Sequence, residues 1–161
     1  MADFIDGSGD ILRADVEALV NPVNLVGVMG KGLALQFKKA YPDNFVIYKE
    51  ACDIEFFQPG MVLVSSTGGL QYPRFIINFP TKRHWREQSR LDDIEASLQH
   101  LHRAVRDLKI KSIAIPALGC GLGGLDWDEV RPLIERALET LPVRVLLFSP
   151  TAYERAERRT G

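Results

Sequence analysis

The stretch Asn21–Gly32, NPVNLVGVMGKG, decides how this chain is read. An apolar run, Val16–Val20, leads into it, and a helical pattern, Leu33–Tyr41, leaves it. A strand that stops at a glycine-rich turn opening a helix is a layout for holding phosphate. Glycines admit a ligand close to the backbone, and unpaired N–H groups at the helix start face it. A second stretch repeats the grammar: Ser112–Pro116 leads into Gly119–Gly124, GCGLGG, and then into LDWDEVRPLIERALETL. Two such loops in one small chain imply one extended ligand with a diphosphate, gripped from both sides.

Around these loops the chain alternates strand and helix. Phe4–Ile5 reads as a short edge strand, and Gly7–Leu12 as a turn into a short element. Val16–Val20 is a buried strand ended by Asn21-Pro22. Leu33, Phe37 and Tyr41 fit a helix closed by Pro42, and Phe45, Tyr48 and Cys52 place a second helix over Asn44–Cys52. Met61–Ser65 and Phe75–Phe79 read as strands separated by the turn-rich TGGLQYP. Leu91, Ile94, Leu98, Leu101, Val105 and Leu108 form one apolar stripe, predicting a helix over Asp92–Leu108 with Ser89 as its cap. Ser112–Pro116 and Val143–Phe148 are strands. The helix between them carries Val130, Ile134 and Leu138 on one face, and Asp126 with Glu129 forms a capping box. Pro132 lacks an N–H and predicts a kink or a late start there. This alternation predicts a three-layer α/β/α domain over residues 1–150 with a mixed, mostly parallel central sheet.

A length of 161 residues allows one domain with a full core and not two ordinary ones. At 46% hydrophobic and 25% charged, the composition fits a soluble globular protein and not a disordered one. The formal net charge of -1 argues against holding nucleic acid by bulk charge and leaves room only for a local basic patch. Cys52 and Cys120 make neither a disulfide framework nor a metal motif, so no metal and no cofactor is expected, in a reducing cytoplasm. No apolar run reaches membrane-spanning length, and the N-terminus has no signal-peptide pattern. A monomer without a membrane partner is expected. Residues 151–161 are polar and charged, and read as a frayed helix, a tag remnant or the start of a linker.

Two common phosphate binders do not fit. GCGLGG matches G-x-G-x-x-G, but it lies late in the chain, and the next strand ends in Phe148-Ser149-Pro150 where a dinucleotide fold needs an acidic residue. Gly30-Lys31-Gly32 lacks the hydroxyl residue that holds magnesium in a P-loop, and Leu25 stands in place of its leading glycine.

The combination instead resembles the macrodomain family of ADP-ribose-binding α/β modules. GDIL at Gly9–Leu12 resembles the family's opening signature, ALVNPVN at Ala18–Asn24 its strand leading to an asparagine, and IPALGCGLGG at Ile115–Gly124 its second phosphate loop. The similarity runs over roughly Phe4–Ser149. GVMGKGLALQFKKAYP and the PTKRHW of Pro80–Trp85 resemble one branch, that of DNA ADP-ribosyl glycohydrolases acting as antitoxins and of a human ADP-ribose protein glycohydrolase.

The resemblance implies roles residue by residue. Asp10 would accept from the adenine amino group while the N–H of Ile11 donates. Val28, Met29, Gly30, Lys31 and Gly32 in the first loop, with Leu118, Gly119, Cys120, Gly121, Leu122 and Gly123 in the second, would wrap the diphosphate and distal ribose. Asn24 would touch the distal ribose hydroxyls, and Lys82 matches the catalytic lysine. Gly123 stands where the human enzyme has an acidic partner, which favours DNA over protein esters as substrate. The implied partners are ADP-ribose, ADP-ribosylated single-stranded DNA and a DNA ADP-ribosyltransferase toxin, the last through a further domain.

Each residue also has a plainer reading. Asp10 alone would be a turn cap, and Asn24 a turn former. Lys82 sits in a basic run, Lys82-Arg83-His84-Trp85-Arg86, that could be a solvated loop or could hold a DNA backbone. Lys31 is its rival as the active lysine. Arg83, His84 and Trp85 are candidate DNA contacts; Trp85 either stacks on a base or covers the sheet edge. Cys120 reads as a small buried residue, since no histidine lies near it to activate it. His100 and His102 lack a third ligand. Three functions remain in view: a DNA ADP-ribosyl hydrolase, a hydrolase of protein esters, acetylated ADP-ribose or ADP-ribose phosphate, and a reader without turnover.

Overall fold

In the computed structural model, which describes residues 1–160, the apolar runs become six strands. They are β1 (Asp3–Asp6), β2 (Ala18–Asn24), β3 (Leu63–Ser66), β4 (Phe75–Lys82), β5 (Ser112–Ile115) and β6 (Arg144–Leu147). The helices are α1 (Gly32–Ala40), α2 (Pro42–Asp53), α3 (Leu91–Asp107), α4 (Trp127–Leu138) and α5 (Ala152–Thr160). Gly161 and the side chains of Ala152, Tyr153, Arg159 and Thr160 lie outside the described residues.

One sheet forms in the order β1-β6-β5-β2-β4-β3. Its pairings are parallel except for β3 against β4, so the sheet is mixed and mostly parallel as expected. Both faces are covered, which is why β2 and β5 read as continuous apolar runs. On one face Ala18, Val20, Ile77, Phe79, Ile113 and Ile115 pack with the stripes of α3 and α4. On the other, Leu19, Ile76 and Ala114 meet Phe37 of α1, and Val23 meets Tyr48 of α2. The three layers follow.

Three local expectations are corrected. β2 does not end at Asn21-Pro22 but continues to Asn24. Pro22 is tolerated because β2 pairs with β5 only at Ala18 and Leu19, so beyond them one flank carries no ladder to break. Ser89 does not cap α3: the N-cap is Arg90, without a side-chain bond, and Ser89 is buried instead. Pro132 does not delay α4, which starts at Trp127 with Asp126 accepting from the Asp128 N–H and runs through the proline. The polar tail is helical as α5, capped by Thr151, whose hydroxyl accepts from the Glu154 N–H at 3.1 Å.

A buried amide network ties α2 to the sheet. Asn78 Oδ1 accepts from Asn21 Nδ2 at 3.2 Å and from Asn44 Nδ2 at 3.1 Å, while Asn78 Nδ2 donates to Asn44 Oδ1 and to the Leu63 carbonyl. Asn44 and Asn78 are 4% and 0% exposed, so a broken bond cannot be replaced by bulk water. Asn78→Ala is expected to destabilise the fold by about 2–3 kcal/mol, because it leaves buried amides unpaired. Urea unfolding measures it, and a loss near zero would show that water repairs the network.

Candidate functional site

The C-terminal ends of the parallel strands meet in a cleft of about 1180 Å³. Its walls come from the turn after β1, both glycine loops, the end of β4 and the segment after β6. The cleft opens where β2 and β5 separate and their connections pass to opposite faces of the sheet, the usual place for a ligand in an open α/β fold.

Asn24 organises the first loop. Its Oδ1 accepts from the N–H groups of Val26 (3.1 Å) and Val28 (3.4 Å) and from the Tyr48 hydroxyl (2.8 Å), and its Nδ2 donates to the Val28 carbonyl at 2.8 Å. Asn24 still lines the cleft, yet most of its hydrogen-bonding capacity shapes the loop. The chain then enters α1 at Lys31, which makes no side-chain cap, and Gly32, Leu33 and Ala34 line the cleft with N–H groups that have no acceptor among the described residues.

In the second loop the N–H groups of Gly121, Leu122 and Gly123 have no acceptor among the described residues. The loop is held from behind by the Ser89 N–H, which donates to the Gly123 carbonyl at 2.9 Å. A Cβ on Gly123 would collide with Ser89 Oγ and lie 2.5 Å from the Gly119 carbonyl oxygen. An acidic side chain therefore cannot stand at 123 without moving backbone. The Ser89 hydroxyl is buried and without a partner among the described residues.

A register shift sets the position of Lys82. β2 and β4 pair regularly up to Val23 with Pro80, and then Asn24 stands opposite Lys82 and not Thr81. Such a bulge re-aims a strand's end, and here it places the lysine beside Asn24 at the rim. Lys82 is the last residue of β4, not a loop residue past it. Its amine is half-buried and donates to the Trp85 carbonyl at 3.5 Å. Burial holds its pKa below the ordinary lysine value, the charge of Lys31 lowers it further, and Glu157 of α5 opposes both. The two rival lysines thus face one another across one cleft.

Asp10 Oδ1 caps the turn by accepting from the Leu12 N–H at 3.0 Å, and the residue lines the cleft with Ile11. Met29, Leu118 and Cys120 turn their side chains away from the cleft and leave only backbone to it. They are 2%, 0% and 1% exposed and pack into the core, because alternate loop residues must bury their apolar side chains while the backbone turns. The Cys120 thiol donates to the Leu118 carbonyl, and burial pushes its pKa up to about 12, so it is no nucleophile. Arg83 is also redirected: it makes a two-pronged ion pair with Asp93 at 3.0 and 3.1 Å and does not line the cleft. His84 lies against Trp85 and accepts the Arg86 N–H. Trp85 and Arg86 do line the cleft.

Sequence reasoning missed Phe148, Ser149, Ser89, Glu154 and Glu157, all on the cleft wall. Phe148 packs its ring on Gly7, where a Cβ would lie 2.5 Å from a ring carbon. A large aromatic ending the last strand was the available signal. No signal marks Glu157, which α5 carries to within 3.4 Å of the Cβ position of Gly121. Among the described residues, no cluster of metal-ligating side chains occurs and no helix is long and apolar enough to cross a membrane.

A sheet of this order with ligand-facing amides from two loops after β2 and β5 defines a class, and sequence comparison agrees. The profile of the Macro domain family matches residues 20–134, and the chain belongs to that family. A Mycobacterium tuberculosis protein named DNA ADP-ribosyl glycohydrolase is 52% identical over 93% of this chain. The chain spans 43% of that relative's length. Among solved structures, the macrodomain of Mycobacterium tuberculosis DarG superposes with a TM-score of 0.90 at 51% identity, covering 94% of this chain and 99% of that one. Thermosipho africanus DarTG in complex with ADP-ribose matches at a TM-score of 0.84 and 33% identity, over 98% of this chain and 46% of that one.

The two charges that act on Lys82 predict opposite shifts. Glu157→Gln removes the group that favours the ammonium, so the titration midpoint of Lys82 falls; Lys31→Gln removes the repulsion, so it rises. In both variants the ammonium is present below the midpoint and lost above it. Side-chain NMR of Lys82 across alkaline pH reads both, and equal midpoints in the three proteins would deny the coupling.

Proposed function

We propose that this chain binds ADP-ribose and hydrolyses its bond to a thymidine in single-stranded DNA, as the antitoxin to a DNA ADP-ribosyltransferase toxin. The observation that carries the reading is the bulge that sets Lys82 opposite Asn24 at the rim of a cleft lined by two sets of free amides. The amides suit a diphosphate, and Asp10 and Phe148 at the far end suit an adenine, through a hydrogen bond and an apolar face. The distal ribose then reaches toward Asn24 and Lys82. The relatives' names support ADP-ribosylated DNA as substrate and a DNA ADP-ribosyl transferase as partner, and the DarTG complex supports ADP-ribose as ligand. Residues 1–150 form the macrodomain unit in this reading, and residues 151–161 are its extension.

Cleaving a ribose–base bond builds positive charge at the anomeric carbon and negative charge on the departing base. A thymine nitrogen between two carbonyls leaves as a delocalised anion and needs little acid help. Lys82 serves as an ammonium by protonating or stabilising that anion. As a free amine it serves by attacking the sugar carbon or trapping the opened sugar as a Schiff base, and its lowered pKa eases this second route. Water completes hydrolysis in either case.

The hydrolase of protein esters is disfavoured by the steric block at Gly123, and the reader without turnover by the partly buried amine at the rim. Lys82→Ala is expected to abolish turnover of ADP-ribosylated single-stranded DNA while ADP-ribose affinity, measured by calorimetry, survives, because its interaction grows mainly in the transition state. Near-normal turnover would reject the assignment. Asp10→Ala should weaken ADP-ribose binding by roughly 1–3 kcal/mol. Assaying modified DNA, modified protein and acetylated ADP-ribose side by side decides among the substrate classes.

A further inference from the structure

The segment after β4 keeps an aromatic surface in solvent where it is costly to do so. Trp85 is 47% exposed, at the mouth of the cleft, one side chain's reach from the Lys82 amine. The guanidinium carbon of Arg86 lies 4.5 Å from the centre of the Trp85 ring, and the His84 ring leans on the indole at 5.1 Å. The turn is braced from within: His84 Nδ1 accepts the Arg86 N–H at 3.1 Å, and the His84 carbonyl accepts the Glu87 N–H at 3.0 Å. The layered side chains are thus ordered before any ligand arrives.

Charge pairing separates the cations of this segment. Arg83 is held by Asp93, and Arg90 lies 3.8 Å from Glu87. Arg86 has no carboxylate within ion-pair distance among the described residues and stands beside Lys82 on the same rim. A planar layer with an unneutralised cation fits a planar heterocycle joined to a phosphate. It fits an acidic peptide less well, because Asp and Glu side chains carry no aromatic ring to lay on the layer.

Resting on the DNA reading above, we propose that Trp85 layered with Arg86 is the stacking platform for a nucleobase flanking the modified nucleotide in single-stranded DNA, with Arg86 reaching the intervening phosphate. The platform follows β4, across the sheet from Asp10, which follows β1 and suits adenine. Stacking of this kind accepts any base, so it gives preference for a strand over a single nucleotide without reading sequence. It supplies the strand grip that a net charge of -1 cannot supply in bulk.

The test compares kcat/KM on two substrates: a thymidine mononucleotide carrying ADP-ribose, and a short single-stranded oligonucleotide carrying the same modification. The unaltered protein is expected to favour the oligonucleotide. Trp85→Ala should cut the oligonucleotide-to-mononucleotide ratio by about tenfold, Trp85→Phe should recover part of it, and Arg86→Gln should lower it and flatten its salt dependence. A ratio unchanged in Trp85→Ala overturns the platform while leaving the DNA reading intact. Trp85-dependence seen with an ADP-ribosylated peptide overturns it in favour of a protein substrate. Failure of the unaltered protein on both DNA substrates, with turnover of another conjugate, overturns the DNA reading and the platform together.

Discussion

The structure depends on how briefly β2 and β5 hold each other. They pair at Ala18–Ile113 and Leu19–Ala114 and then part. From the parting ends one chain turns toward α1 and the other toward α4, on opposite faces of the sheet. Both strands run on into glycine loops, and residues of those loops line the gap. The cleft is therefore a consequence of topology, and the loops furnish its chemistry.

The opposite end of the same strands is bolted. The Glu17 carboxylate accepts from the Lys111 N–H at 2.8 Å and from Arg74 at 3.2 Å, and the Glu17 N–H donates to Ser112 Oγ. These bonds join the starts of β2, β4 and β5. Nearer the cleft, the Asn78 network fixes α2, and Tyr48 on α2 donates to the Asn24 carbonyl and to its side-chain oxygen. Rigidity thus runs from the closed end, through α2, to the residue that shapes the first loop. Such backing holds the cleft wall in one geometry before a ligand arrives.

Polarity is distributed along the cleft with a direction. Across the sheet order the cleft runs from Asp10 and Phe148, after β1 and β6, past the glycine loops that follow β5 and β2, to Lys82 at the end of β4. Glu157 moderates Lys82 from α5, which Arg158 attaches to the second loop at the Gly124 carbonyl, 3.3 Å away. Gly123 and Ser89 occupy the space in which a carboxylate carried at that loop position would stand.

Much of this was legible from residues alone. Apolar runs and helical stripes are local signals, and they placed every strand, α3 and α4, because burial on both sheet faces demands them. The glycine loops marked two walls of the cleft, and Asp10 and Lys82, also on its wall, were named from motifs. Other features depend on partners distant in sequence. β2 runs past Pro22 because β5 has left its flank, which no local rule conveys. Met29, Leu118 and Cys120 turn inward because the loops must also cover the core. Arg83 is taken by Asp93 on a helix that its own segment cannot announce. The bulge that aligns Lys82 with Asn24, and the arrival of Glu157 from α5, exist only once separate elements are packed. Sequence determined which chemistry the chain carries; tertiary structure decided which side chains deliver it, because register and cross-element pairing are properties of the packed sheet.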